Sequence, residues 1–126
     1  MASSSAEFHE SEDRLRPETM DYHRAIVSVM EELEAVDWYN QRIDATGDPD
    51  LAAILAHNRD EEKEHAAMAL EWLRRRDPEL DRFLRQYLFT QGAITAIEEA
   101  IEGGDGKASS NGASLGIGSL RGRSDR

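Results

Sequence analysis

The sequence predicts an all-α fold built on an antiparallel hairpin of two long helices. Residues 17–46 and 49–76 each keep a helical pattern without interruption. Between them, "GDPD" combines a glycine stop, an aspartate N-cap and a proline suited to the first helical turn. Helices of nearly 30 residues joined by so short a connection are expected to run antiparallel, each about 40 Å long.

The next segment is predicted to add a shorter C-terminal helix to this hairpin. A second Asp-Pro pair, at residues 77 and 78, predicts a helix that ends near Thr90. Residues 94–102 are compatible with one more helical piece, so the helical domain is expected to span residues 17–102.

Both ends of the chain differ in composition from this helical domain. Residues 1–16 are polar and lack a sustained period, which predicts a flexible N-terminal arm. Residues 103–114, "GGDGKASSNGAS", are typical of a flexible linker with a reach of about 20 Å. Residues 115–123, "LGIGSLRGR", then carry three aliphatic side chains, which a structureless tail does not need unless a partner binds them: Leu115, Ile117 and Leu120.

Composition limits the classes of partner. The 126 residues include 26 acids and 15 bases, a net charge of −11, which disfavours nucleic acid and anionic membranes and favours cations. Acidity that only maintains solubility is the simpler alternative. The absence of cysteine excludes disulfides and thiolate metal sites. There is no apolar run long enough for a membrane span or an N-terminal export signal, so a cytoplasmic location is expected.

Helical periodicity divides the acidic stretch "NRDEEKEH" (residues 58–65) between two faces of the second helix. Glu62 and His65 fall within an apolar stripe about 80° wide, whereas Glu61 and Glu64 project about 100° and 160° away from Glu62. The stripe consists of Leu51, Leu55, Asn58, Glu62, His65, Ala69 and Leu73. A carboxylate and an imidazole one turn apart on such a face need an ion pair, hydrogen bonds or a metal ion.

The first helix supplies a third candidate ligand. Its apolar arc is too broad for a single hairpin partner, and Glu32 lies at the edge of that arc. Glu32 and Glu62 are each about fifteen residues from Gly47, so an antiparallel hairpin places them at a similar depth. Glu32, Glu62 and His65 are therefore expected to meet, although a structural Glu62–His65 ion pair alone also explains the motif.

These residues amount to half of a known type of metal site. Di-iron carboxylate centres in four-helix bundles take a Glu from each of two helices and a Glu-x-x-His from each of the other two. The chain contains one set, and a two-fold dimer would supply the second. Four carboxylates would balance two ferrous ions, and mixed oxygen and nitrogen ligands favour iron, manganese or zinc.

Several stretches resemble the encapsulated ferritins, half-length ferritin-like proteins packaged in bacterial encapsulin shells. The resemblance lies in "HRAIVSVMEELEAVDWYNQR", "AHNRDEEKEHAAMALEWLRRRDP" and "YLFT". The tail "LGIGSLRGR" independently resembles the peptide that docks cargo on the inner wall of the shell. Together the matches cover most of residues 20–102 and the tail, with no departure at the residues named below.

The resemblance implies a ferritin-like four-helix bundle completed by dimerisation, with dimers arranged in a ring-like decamer. It also implies ferroxidase activity, with two iron ions per dimer held by Glu32, Glu62 and His65 of two subunits. Tyr39 would lie beside the metals and Trp38 near the entrance. The expected setting is an encapsulin nanocompartment in the cytoplasm, whose shell binds the C-terminal peptide and stores the iron mineral.

The resemblance assigns less central roles to further side chains. Glu31 and Glu34 match acidic positions that gather ions on their way in, although both are compatible with ordinary surface acids. His57, Glu61 and Glu64 match a peripheral metal site, although acids on an exposed helix face usually only solvate it. Trp38 is also compatible with a simple packing role.

A mechanism follows as a hypothesis. His65 and Glu32 would hold each ferrous ion, the two Glu62 carboxylates would bridge the pair, and oxygen or peroxide would take the electrons. Two alternatives stay open: a non-catalytic helical cargo adaptor with a structural Glu62–His65 pair, and a di-metal enzyme that consumes peroxide.

Overall fold

The computed structural model describes residues 6–110, and it describes side chains for residues 6–103. Within this described range, a 3₁₀ turn, Glu12–Arg14, precedes four helices. They are α1 (Pro17–Ala45), α2 (Pro49–Arg76), α3 (Pro78–Tyr87) and α4 (Ile94–Ser110). Residues 6–110 contain no strand, so the prediction of an all-α fold is confirmed. The helices form two compact units that divide between Arg76 and Asp77.

The first unit is the predicted hairpin, and Asp48 organises its connection. Helix α1 ends at Ala45, two residues before Gly47, and Thr46 is its extended C-cap. The Asp48 carboxylate accepts hydrogen bonds from the backbone N–H groups of Asp50 at 2.9 Å and Leu51 at 3.4 Å. These are donors that the start of a helix leaves without backbone partners. Asp48 is therefore the N-cap of α2, as predicted.

The hairpin has a very thin core. Helices α1 and α2 pack along each other, but Ala66 and Leu73 are the buried apolar residues among residues 6–103. Many large apolar side chains of the pair remain exposed: Ile26, Met30, Leu33, Trp38, Leu51, Ile54 and Met68. Two helices cannot cover a broad apolar arc on each other, so this surface is suited to contact with another chain.

The described part of the N-terminal arm, which was predicted to be flexible, contacts α1. His23 Nε2 donates a hydrogen bond of 2.7 Å to the carbonyl oxygen of Ala6. The Phe8 ring packs on the His23 imidazole with 4.6 Å between ring centroids. One aromatic contact and one hydrogen bond hold a polar segment that has no periodic pattern of its own, which is why composition did not reveal the contact.

Helix α3 begins where the sequence predicted and ends earlier. The Asp77 carboxylate caps it by accepting a hydrogen bond of 3.0 Å from the backbone N–H of Leu80. The helix ends at Tyr87, short of the predicted end near Thr90, because Leu88 is extended and Phe89 has a φ of 63°. A left-handed residue cannot continue a right-handed helix.

Helix α4 extends further than composition indicated. It begins at Ile94 but continues past Glu102 to Ser110, through residues 103–110 that were predicted to belong to a flexible linker. Glycine lowers helix stability by about 1 kcal/mol relative to alanine without excluding helical backbone angles. The remainder of the predicted linker and the predicted targeting peptide, residues 111–114 and 115–123, lie outside the described residues.

None of the helices within residues 6–110 is both long and apolar enough to cross a membrane.

Candidate metal centre

Three of the predicted ligands meet on one side of the hairpin. Glu32 comes from α1, and Glu62 and His65 come from α2. Each offers one ligand atom, and these atoms all lie within 4.8 Å of one another. Within the described part of the chain, this is the one group of three or more histidine and carboxylate side chains that is compact enough to hold a metal ion.

Helical geometry explains how the three side chains come together. Glu62 and His65 are separated by one turn, and His65 Nδ1 lies 3.1 Å from Glu62 Oε1. The antiparallel partner helix brings Glu32 Oε1 to 3.8 Å from the same nitrogen. The cluster therefore depends on the register of the hairpin as well as on the Glu-x-x-His spacing.

The cluster lies at the surface of the single chain. The side chains of Glu32 and Glu62 are 27% and 25% exposed, and that of His65 is 44% exposed. The apolar stripe of the second helix predicted a more buried position for Glu62 and His65. Two helices alone have too few side chains to enclose these groups. An exposed cluster with three donors can face a second molecule that contributes further ligands.

Electrostatic interactions give the three groups different pKa shifts. The hydrogen bond with Glu62 raises the pKa of His65, and the charge of Glu32 adds to this effect. Hydrogen bonds from Glu32 and His65 lower the pKa of Glu62. The pKa of Glu32 is raised, first by its hydrogen bond with Glu62 and then by desolvation. Because a metal ion needs unprotonated ligands, protonation of the His65 imidazole would compete with metal binding.

The donor set fits a transition metal ion better than calcium or magnesium. Two carboxylates and one imidazole combine hard oxygen ligands with a nitrogen ligand that iron, manganese and zinc accept readily. The three donors converge from two helices. One chain thus offers three possible ligands, fewer than a six-coordinate metal ion takes.

An interhelical contact that the sequence did not reveal lies close to this cluster. Arg59 Nη1 donates a hydrogen bond of 3.0 Å to Oδ1 of Asn40, joining α2 to α1. Arg59 also donates from Nε to Asp60 at 3.0 Å. Arg59 precedes Glu62 by about one turn, so this hydrogen bond helps to fix the register that brings Glu32 to Glu62. Asn40 lies seven residues before Gly47 and Arg59 twelve after it, so counting along the hairpin did not pair these two residues.

The aromatic residues predicted near the site occupy different environments. Tyr39 is half-buried, and the Arg42 guanidinium lies 5.5 Å from the centre of its ring. Trp38 is 49% exposed, as a residue near an entrance would be. Their proximity to bound metal remains a prediction.

The additional acidic positions lie outside the compact cluster. Helical periodicity predicted that Glu31 and Glu34 both point away from the hairpin core. Glu31 is exposed as predicted, but Glu34 is half-buried. His57 Nε2 lies 3.3 Å from Glu61 Oε2, so these two residues form a surface pair. Glu64 is exposed but does not join them in a compact three-ligand group. The proposed roles of these residues remain predictions.

The fold and the cluster together define a class of protein: a ferritin-like helical hairpin that carries a carboxylate and histidine cluster. The comparison with protein families is more specific, since residues 7–91 match the EncFtn-like family model. The chain belongs to the EncFtn-like family.

Individual relatives agree with this assignment. The chain is 62% identical to the encapsulated ferritin-like protein of Rhodospirillum rubrum, a match that covers 97% of this chain and 93% of the relative. It is 50% identical to a ferritin-like protein of Thermotoga maritima over 88% of this chain and 95% of the relative. A more distant relative is the encapsulin nanocompartment cargo protein EncC of Myxococcus xanthus, 36% identical over 75% of each chain.

A solved structure has a similar fold. The crystal structure of protein ne0167 from Nitrosomonas europaea is 62% identical and aligns with a TM-score of 0.68. The alignment covers 69% of this chain and 96% of the other. The similarity therefore concerns most of the helical part of the chain.

Proposed function

We propose that this protein is a ferroxidase that oxidises Fe(II) to Fe(III) at a di-iron centre shared by two subunits. Glu32, Glu62 and His65 of each subunit are the proposed ligands. The observation that carries the proposal is the convergence of their ligand atoms within 4.8 Å in a member of the EncFtn-like family. Ferrous iron is the substrate, and dioxygen is the proposed electron acceptor.

The exposure of the cluster supports a shared site. A two-fold contact repeats every ligand, so two copies would provide four carboxylates and two imidazoles around two ferrous ions. The four negative charges would balance the four positive charges of the iron. Exposed apolar side chains on the same helices, including Met30 and Leu33 of α1, supply surface that such a contact would bury.

The same balance of charges suggests how the ferric product would leave the di-iron centre. Oxidation of two ferrous ions removes two electrons, so the ligand set would face two surplus positive charges. Hydroxide or oxide derived from water would have to balance them, which weakens the hold of the protein carboxylates on the ferric product.

Further residues have proposed roles around the di-iron centre. Glu31 and Glu34 gather incoming ions, and Tyr39 lies beside the metals. His57, Glu61 and Glu64 form a peripheral site.

Aerobic oxidation of ferrous salt by the purified wild-type protein tests the proposed reaction. Ferric absorbance and oxygen uptake should both rise faster than in protein-free buffer. Zn(II), which accepts the same ligands and has no redox chemistry, should inhibit by occupying the site. Oxidation no faster than in buffer would reject the ferroxidase proposal.

We also propose that the protein is cargo of an encapsulin nanocompartment, which would store the oxidised iron. Relatives named as encapsulated protein and as nanocompartment cargo support this setting. The proposed contact with the shell is the C-terminal segment that carries Leu115, Ile117 and Leu120. Two-fold dimers arranged as a ring-like decamer are the proposed form of the cargo. Such an open ring has no enclosed cavity for mineral, so storage would fall to the shell.

Removal of the proposed targeting peptide should separate packaging from catalysis. Deleting residues 115–123 should leave ferrous oxidation unchanged and abolish co-purification with a co-expressed encapsulin shell, because the aliphatic anchors are lost. A matched variant lacking only residues 124–126 should be packaged normally. Normal packaging of the larger deletion would contradict the assignment of this segment.

One observation also favours a second function. The 3.1 Å contact between His65 and Glu62 is an ion pair that could serve structure alone. A non-catalytic helical cargo adaptor would have this pair and the same apolar surface. It would bind no iron at Glu32 and would not accelerate ferrous oxidation, so the oxidation assay separates the two functions.

A further inference from the structure

Met68 occupies a position on α2 next to the candidate metal centre. It follows His65 by three residues and is 58% exposed. Residues with this spacing are neighbours on a helix surface, with about 5–6 Å between their Cβ atoms. A helical side chain also leans toward the N-terminus of its helix, so Met68 covers the turn that carries Glu64 and His65. Met68 and Glu64 line the same surface groove, which agrees with this orientation. The Met68 thioether is therefore within reach of small molecules that leave the metal centre.

The other methionines whose side chains are described are less well placed. Met30 precedes Glu32 by two residues on α1, and this spacing turns a helix by about 200°, so the two side chains leave from opposite sides. Met20 precedes Glu32 by twelve residues, about 18 Å along the helix. Met30 is 38% exposed and Met20 is half-buried. Met68 is thus distinguished by its position, and Met30 and Met20 are internal references for oxidation that depends on exposure alone.

Methionine is the side chain of this protein whose sulfur can take up oxygen from peroxide, because the chain has no cysteine. The product is a sulfoxide, which dedicated reductases convert back to methionine. Thioethers react slowly with dilute peroxide, so a methionine is oxidised selectively only where peroxide is released next to it at a high effective concentration. Position relative to the metal centre therefore decides which methionine reacts.

The proposed oxidation of iron supplies this oxidant. Two ferrous ions give up two electrons, which is the number that reduces one dioxygen molecule, with two protons, to hydrogen peroxide. Peroxide then transfers one oxygen atom to the thioether: the O–O bond breaks, an S–O bond forms, and the second oxygen leaves with both hydrogens as water. The sulfur is oxidised by two electrons as the peroxide is reduced, so atoms and electrons balance without a further reactant.

We propose that Met68 is a peroxide-scavenging oxidation site, whose thioether reacts with hydrogen peroxide formed at the di-iron centre and becomes the sulfoxide. This inference rests on the proposed ferroxidase function and adds a step that follows it. Each Met68 consumes one molecule of peroxide, so scavenging lasts until the sulfoxide is reduced again.

Site-resolved mass spectrometry after turnover tests this role of Met68. Full-length wild-type protein receives successive small additions of Fe(II) in air, with catalase present to remove peroxide that has escaped into solution. Peptide mapping then gives the sulfoxide fraction at Met68, Met30 and Met20. We expect this fraction to be at least several-fold higher at Met68 than at either reference. The preference should be much smaller when iron-free protein is treated with added hydrogen peroxide in the absence of catalase. Equal fractions at the three residues, or the same preference in both treatments, would overturn the proposal.

The rate of ferrous oxidation in the same samples separates this inference from the function on which it rests. Fast oxidation with equal sulfoxide fractions would reject the role of Met68 and leave the ferroxidase proposal standing. Oxidation no faster than in protein-free buffer would reject the ferroxidase proposal, and the role of Met68 with it. The Glu62→Ala variant, which lacks a proposed ligand, should show no preference for Met68 during the same treatment. A preference retained in that variant would contradict the proposal, since the peroxide would not come from the di-iron centre.

A sulfur-free variant tests the scavenging step itself. Met68→Leu keeps the volume and apolar character of the side chain and removes the sulfur, so ferrous oxidation should proceed at the wild-type rate. In the absence of catalase, the peroxide released during the first additions of Fe(II) should exceed the wild-type amount by up to one equivalent per chain. Met20→Leu, which removes a sulfur far from the proposed centre, should release the wild-type amount. Equal early release of peroxide from Met68→Leu and wild-type protein would show that Met68 does not scavenge it.

Discussion

Replacing Glu62 or His65 by alanine is expected to reduce oxygen-dependent ferrous oxidation by roughly 100-fold or more. Changes in groups that only orient a metal ligand typically cost 10- to 100-fold, and these variants remove a proposed ligand itself. Each substitution also acts twice, because a two-fold site contains two copies of every residue. Stopped-flow measurement of ferric absorbance, together with oxygen uptake, would give the rates.

Matched variants separate this effect from general damage. Asp60→Asn removes another exposed acid from the same helix and should oxidise iron at the wild-type rate. The helical content of the Glu62→Ala and His65→Ala variants should be unchanged by circular dichroism, since neither side chain belongs to the buried core. Wild-type oxidation rates in both alanine variants would show that iron is oxidised elsewhere.

Metal ions are expected to drive pairing of the chains. Each chain brings Glu32, Glu62 and His65 together at its surface, but it supplies only half of the ligands that a di-iron centre uses. Metal that binds the paired form more tightly shifts the equilibrium toward it, by about 2.7 kcal/mol when its concentration is 100 times the dissociation constant. Analytical ultracentrifugation under anaerobic conditions should therefore show a larger species when Fe(II) is added.

The same experiment has an internal control. The His65→Ala variant keeps the exposed apolar surface but loses a proposed ligand, so Fe(II) should have little effect on its mass. If Fe(II) promotes pairing of this variant as strongly as it promotes pairing of the wild-type protein, the metal acts through other residues. A monomer that binds iron stoichiometrically would contradict the shared site.

Local sequence signals predicted the elements that position the site. The Asp48 and Asp77 caps and the prolines after them fixed the starts of α2 and α3, because capping chemistry is local. The spacing of Glu62 and His65 likewise placed both side chains on one face. The proximity of Glu32 to Glu62 was predicted by counting residues on either side of a short turn. Such counting gives the correct pairing when the two antiparallel helices are straight.

Tertiary and intermolecular features were harder to predict. The contact of Phe8 with His23 depends on how an irregular segment folds back, and the Arg59–Asn40 hydrogen bond depends on the rotation of two helices. The early end of α3 at Tyr87 depends on a left-handed Phe89, which residue propensity disfavours. The shallow position of the carboxylate and histidine cluster also differed from expectation, because helical periodicity indicates a face but not how much protein covers it.

An anomalous-scattering crystal structure of the protein loaded with iron tests the proposed shared metal centre most directly. The account predicts two iron ions at a two-fold contact between chains, each within coordination distance of Glu32, Glu62 or His65, with ligands from both subunits. Iron bound only by the residues of one chain, or bound elsewhere while these three side chains remain without metal, would contradict it.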